Sequence, residues 1–134
     1  MNAAKSHFQI RIENQMDRIV PGISRNVGTI PELQADQGQA ILSVLLGHAC
    51  QGQNDAPIII ARNLIKQIPT AWLESNLSLA ISNCLQLDDE WEYRRLLELL
   101  NELSPKLLRK YADIGRKSKN AEVREAMLDF SLPE

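Results

Sequence analysis

EYRRLLELL (residues 92–100) has two echoes within its own chain. IARNLIKQI (residues 60–68) aligns with it at a shift of 32 residues, and EVREAMLDF (residues 122–130) at a shift of 30. Arg62, Arg94 and Arg124 then share one position, and Leu64/Ile65, Leu96/Leu97 and Ala126/Met127 form the apolar steps behind them. The intervening segments match more loosely at a shift of 34, pairing Leu73 with Leu107, Leu77 with Tyr111 and Ala80 with Ile114. A period in this range marks stacked units, each covering the apolar flank its neighbour cannot bury alone.

Outward from these segments, helical spacing and capping signals recur, and strand alternation does not. Phe8, Ile12, Met16 and Ile19 share one face of a first helix, opened by a Ser6…Gln9 capping box and stopped by VPG (residues 20–22). Residues 22–34 read as an irregular connector. Asp36…Gln39 opens the next helix, and Pro57 suits the first turn of another. The apolar run from Ile58 to Ile68 has the composition of a buried strand, but its proline start and its length point to helix. Thr70 caps a helix with Trp72, Leu73, Leu77, Ala80, Ile81 and Cys84 along one side, and Asp89…Glu92 is a further capping box. Tyr93, Leu96, Leu97, Leu100 and Leu103 follow as a core stripe. Ser104-Pro105 starts a helix with Leu107, Leu108, Tyr111 and Ile114 inward, and Asn120 opens the last element.

The runs DDEWEYRRLL (residues 88–97) and NAEVREAM (residues 120–127) resemble the turn and second-helix opening of HEAT repeats. The likeness covers roughly residues 36 to 130. It implies an all-α fold: a short right-handed α–α superhelix of HEAT-like hairpins, about six helices, with residues 1–35 as capping helix and connector and 36–134 as the repeats. Such repeats often carry an aspartate six positions before the arginine. Asp88 stands so to Arg94, whereas Ala56 and Ser118 precede Arg62 and Arg124. Residues 120–130 would close the stack as a half-unit, with Asp129, Pro133 and Glu134 toward solvent.

The bulk properties suit one ordinary domain: 134 residues, 44% apolar, 24% charged, 4% aromatic, net charge −2. No global basicity advertises nucleic acid. The first eight residues lack the apolar core of a secretory signal, and no run approaches membrane-spanning length, so the expectation is a cytoplasmic protein, off the membrane, with Cys50 and Cys84 reduced.

The residue types of catalysis are scattered. His48 and Cys50 are two apart on a helix and point away from each other. A zinc site from His7, His48, Cys50 and Cys84 would need ligands from three helices without one tight pair. The acids at 88–92 cap a helix and solvate a turn, which leaves no catalytic residues, no cofactor and no metal to nominate. Charge is more informative. Residues 88–102 carry net −4, and residues 104–119 carry net +5 through Lys106, Arg109, Lys110, Arg116, Lys117 and Lys119.

In the resembled family the second helices line the concave, partner-binding side. That implies helices 57–68, 90–103 and 120–130, and as contact residues Asn63, Lys66, Gln67, Arg95, Glu98, Glu102, Glu125 and Asp129. Four acids and two bases would repel phosphates, which argues against a nucleic-acid cradle. The reading is therefore a small protein-interaction module, acting as adaptor, regulator or inhibitor. The alternative is a nucleic-acid-binding or ligand-modifying relative using Trp72 and Trp91. A homodimer through Ile58–Ile60 or through Leu128 and Phe130 is also open.

Overall fold

A computed structural model of the chain describes residues 6–130; Pro133 and Glu134 lie outside them. Among the described residues there are seven α-helices, rather than about six, two 3-10 segments and no strand. The helices are α1 (His7–Ile19), α2 (Ala35–Gln51), α3 (Asp55–Lys66), α4 (Thr70–Cys84), α5 (Glu90–Leu103), α6 (Pro105–Arg116) and α7 (Ala121–Leu128). The run from Ile58 to Ile60 is helical.

Most helix starts obey local chemistry. Ser6 accepts from the Gln9 N–H, Asp89 from the N–H groups of Trp91 and Glu92, Ser104 from Leu107 and Asn120 from Glu122. Each satisfies donors that a helix start would otherwise leave bare. The boxes at Ser6 and Asp89 are one-sided, since Gln9 turns to Glu13 and Glu92 accepts from Gln51 and Gln86, and two other starts differ more. Helix α2 begins at Ala35 behind Gln34, so Asp36 sits within its first turn. The Gln39 amide, instead of reaching back, donates to the Asn76 carbonyl of α4 at 2.9 Å. Pro69, not Thr70, takes the N-cap position of α4.

The connector is more ordered than expected. Gly22 makes the turn after α1 with φ of +79°, a backbone state that side-chain-bearing residues avoid. The Asp17 carboxylate then accepts from both the amide and the hydroxyl of Ser24, at 2.9 and 2.8 Å. Two 3-10 segments, Ile23–Arg25 and Val27–Glu32, put Ile23, Val27 and Ile30 into the core.

Helix α2 is the hub. It packs against α1, α3, α4 and α5, and Ile41, Leu42, Leu45, Leu46 and Ala49 are fully buried along it. The Trp72 indole lies across it at Gly38, where a Cβ would stand 3.0 Å from the ring. Helix α5 takes over from α2 and carries α6 and α7. Helices two apart in the chain lie side by side: α1 with α3, α2 with α4, and α5 with α7. Side chains join α3 to α5 and, through Ser104–Glu74 (2.7 Å) and Lys110–Ser78 (2.9 Å), the α6 segment to α4. The spacing is not uniform, because the backbone of α5 approaches α2 more closely than it approaches α4.

Ile114, expected inward, is 43% exposed. The inner stripe of α6 passes from Tyr111 to Gly115 instead, where the Tyr93 ring lies flush on the backbone and its hydroxyl donates to the Tyr111 carbonyl at 2.7 Å. A methyl group at Gly115 would sit 1.9 Å from that hydroxyl oxygen. Gly115→Ala is therefore expected to destabilise the fold by about 2 kcal/mol or more through overpacking. Gly47→Ala, whose Cβ meets only the Gln51 side chain at 3.6 Å, should instead stabilise by up to about 1 kcal/mol. Urea unfolding midpoints measure both.

Candidate functional site

The recurring arginines build a ladder across α3, α5 and α7. Arg62 on α3 pairs with Glu98 on α5, 36 residues on, and Arg94 on α5 pairs with Asp129 after α7, 35 residues on, at 2.6 Å. Two arginines at one aligned position thus reach for a carboxylate on, or just past the end of, the next odd-numbered helix. Arg124, on the last of these helices, donates to the Ser118 carbonyl at 2.6 Å. Lys66 repeats the step toward Glu102 at 3.4 Å. Asp88 contributes its backbone carbonyl, which accepts from the Asn120 side chain at 2.9 Å, while the Arg94 guanidinium goes to Asp129 and Glu90.

Five of the eight expected contact residues therefore meet in ion pairs: Lys66, Arg95, Glu98, Glu102 and Asp129. Asn63, Gln67 and Glu125 stand exposed beside them. The ladder pairs most charges of this face without making it neutral. Arg62 and Arg94 belong to it as well, and Glu98, Glu102 and Asp129 each have a base opposite, while Glu90, Glu122 and Glu125 add acid. Burial alone would raise the Glu98 carboxyl. Hydrogen bonds and charge from Arg62 and Arg95 outweigh it and hold the group below its ordinary value. Glu90 is held above its ordinary value by loss of water and by the Glu122 carboxyl of α7.

Between the paired charges stand apolar side chains that sequence reasoning placed only loosely. Ile58 is 2% exposed and belongs to the core, whereas Ile59 is 53% exposed. Trp91 is 64% exposed and Leu128 62%. Ile59 precedes Arg62, and Trp91 precedes Arg94, by the same three residues. The ladder register that aims the arginines across the layers therefore turns these two outward. The signal was legible as one more column of the repeat alignment. Trp72, paired with Trp91 as an aromatic candidate, is half-buried on α2.

Trp91 forms one wall of a groove of about 490 Å³, with Cys50, Gln51, Gly52 and Gln53 from the end of α2 and Asp89, Glu92 and Arg95 from the start of α5. A shallower depression of about 670 Å³ lies beyond Gln51, lined by Gln15, Arg18, His48 and Cys84 among others. There His48 Nε2 and Gln15 Oε1 are 2.7 Å apart, and burial, then Arg11, lowers the His48 pKa. The Cys84 thiol faces the Ser43 carbonyl at 3.5 Å, and burial raises its pKa; burial pushes Cys50 up to about 12. Neither histidine nor thiol engages the other. On α6 and the turn after it, Lys106, Arg109, Lys110, Arg116, Lys117 and Lys119 are exposed, with Arg116 and Lys117 shared by Asp113. Among the described residues no helix is long and apolar enough to cross a membrane.

Comparison with known proteins adds no relative: no family model matches the chain, and no curated protein or solved structure is significantly similar to it.

The ladder's rungs should differ in strength with exposure. A double-mutant cycle on Arg62 and Glu98, whose side chains are 17% and 28% exposed, should return a coupling of about 1 kcal/mol. The Lys66–Glu102 pair, 39% and 42% exposed, should return less than about 0.5 kcal/mol. Because the folded-state pKa of Glu98 is depressed, its contribution is present above its ordinary value of 4.5 and is lost as pH falls through the lower folded value. Thiol alkylation should modify half-buried Cys84 in the native protein and reach Cys50, 2% exposed, only on unfolding. Mass spectrometry of the alkylated peptides checks that order.

Proposed function

We propose that this chain is a small HEAT-like helical-repeat module, a short α–α superhelix, that binds a protein partner through the exposed ridge of α3, α5 and α7. The side-by-side packing of helices two apart and the two equivalent arginine rungs support the repeat reading. The single observation carrying the functional reading is Trp91, an indole held 64% exposed on the first turn of a braced helix, at the mouth of a groove. Exposed tryptophan beside arginine, ringed by already paired charges, is the composition of an interface hot spot. The ladder holds the ridge rigid, so little side-chain freedom is lost when a partner docks. Adaptor, regulator and inhibitor roles all use such a surface, and reduced thiols at Cys50 and Cys84 fit a cytoplasmic setting.

A second reading rests on the basic face of α6, where Lys106, Arg109 and Lys110 could take phosphates. One experiment separates the two. A partner identified by affinity capture is titrated against the protein, Trp91→Ala, Arg95→Ala and, on α6, Arg109→Ala. Trp91→Ala should weaken binding by at least about 30-fold, the loss of a hot-spot anchor, and Arg109→Ala should change it less than about 2-fold. Binding insensitive to Trp91 and Arg95, or salt-steep retention on DNA or RNA lost with Arg109, would overturn the proposal.

A further inference from the structure

The groove beside Trp91 has a chemistry narrower than the ridge as a whole. Two carboxylates line it, and each is immobilised through one oxygen. Asp89 Oδ1 accepts the amides of Trp91 and Glu92, at 2.9 and 3.0 Å. Glu92 Oε1 accepts the Gln51 side chain at 2.9 Å and the Gln86 amide at 3.1 Å. Asp89 Oδ2 and Glu92 Oε2 have no donor among the described residues. The carbonyl end of α2 arrives at the same place through Cys50, Gln51 and Gly52, its partial negative charge set against the partial positive charge of the α5 N-terminus that Asp89 caps. The one cation in the wall, Arg95, is committed to Glu98 at 3.1 Å. Cys50 is neutral there at any ordinary pH, since burial pushes its thiol up to about 12. Trp91 lines the same groove and is 64% exposed.

We infer that this groove receives an arginine side chain of the partner protein, its guanidinium stacked on Trp91 and donating to the outward oxygens of Asp89 and Glu92. The inference rests on the ridge being a protein-binding surface and names the partner's chemistry. A planar guanidinium suits both parts of the site at once: it stacks on an aromatic face and offers paired N–H donors to carboxylates. An ammonium satisfies the carboxylates as a point charge but stacks less well. An acidic or phosphorylated segment meets two fixed carboxylates and a helix carbonyl end. The groove volume of about 490 Å³ is ample for one long side chain with its backbone passing over the rim.

The test uses the full chain and three tripeptides, acetyl-Gly-Arg-Gly-amide and its Lys and Glu counterparts, followed by the NMR shift of the Trp91 indole N–H. The arginine peptide should give a saturable shift with a Kd of about 1–10 mM, fitting one stacked ion pair. The lysine peptide should bind at least about 3-fold more weakly, and the glutamate peptide should leave the signal unmoved. Gln53→Lys adds a cation at an exposed position of the groove without touching a helix, and should weaken the arginine peptide at least about 5-fold. Trp91→Ala, read on the Gln53 amide, should abolish its effect. No shift at 20-fold the upper Kd, a shift indifferent to Gln53→Lys, or a stronger response to the glutamate peptide would overturn the inference. Should the peptide fail while Trp91→Ala still releases the captured partner, the interaction ridge stands and only the arginine assignment falls.

Discussion

Helix α2 carries the core. Ile41, Leu42, Leu45, Leu46, Ala49 and Cys50, each at most 2% exposed, fill one broad half of it, while Ala40, Ser43, Val44, Gly47 and His48 on the other half stay at least partly open to water. An apolar stripe that wide needs more than one neighbour to cover it. Four helices do this: α1, α3, α4 and α5. Because α5 is drawn toward α2, the third pair of helices hangs from α5. The Tyr93–Gly115 contact, ring on bare backbone, is where that pair is fastened.

Hydrophobic burial is non-directional and would tolerate sliding between helices of similar stripe. The ladder supplies the register. Arg62–Glu98 and Arg94–Asp129 join odd-numbered helices, and Gln39–Asn76 and Ser104–Glu74 join α4 to the elements on either side of it. None of these is worth much alone at partial exposure. Their effect is selective: each is lost if its helix shifts by one turn. The same pairs engage many of the ridge's charges, and Ile59, Trp91 and Leu128 stand exposed among them.

The surfaces of α5 and α6 differ in kind. The α6 side carries exposed cations, of which Lys106, Arg109 and Lys119 have no ion pair among the described residues. The α5 side offers geometry with restrained charge: a rigid indole, two carboxylates fixed by hydrogen bonds, and an arginine already engaged.

Helical spacing, the breaker at residues 20–22 and the caps at Ser6, Asp89, Ser104 and Asn120 were determined by the sequence itself, because each depends on residues within about one turn of one another. The arginine column was legible for another reason, the self-alignment of segments some 30 residues apart. The candidate surface was half legible: its residues followed from the self-alignment of the sequence, but the pairing of its charges did not. Glu98, Glu102 and Asp129 meet bases some 35 residues away, and only the packing of the helices brings those together. Tertiary structure likewise decided that the connector enters the core, that Gly115 rather than Ile114 faces Tyr93, and that Trp72 is covered while Trp91 is not. Periodicity says which face of a helix is apolar. Which apolar residues find a neighbour depends on the packing of other helices, and that information lies far away in the chain.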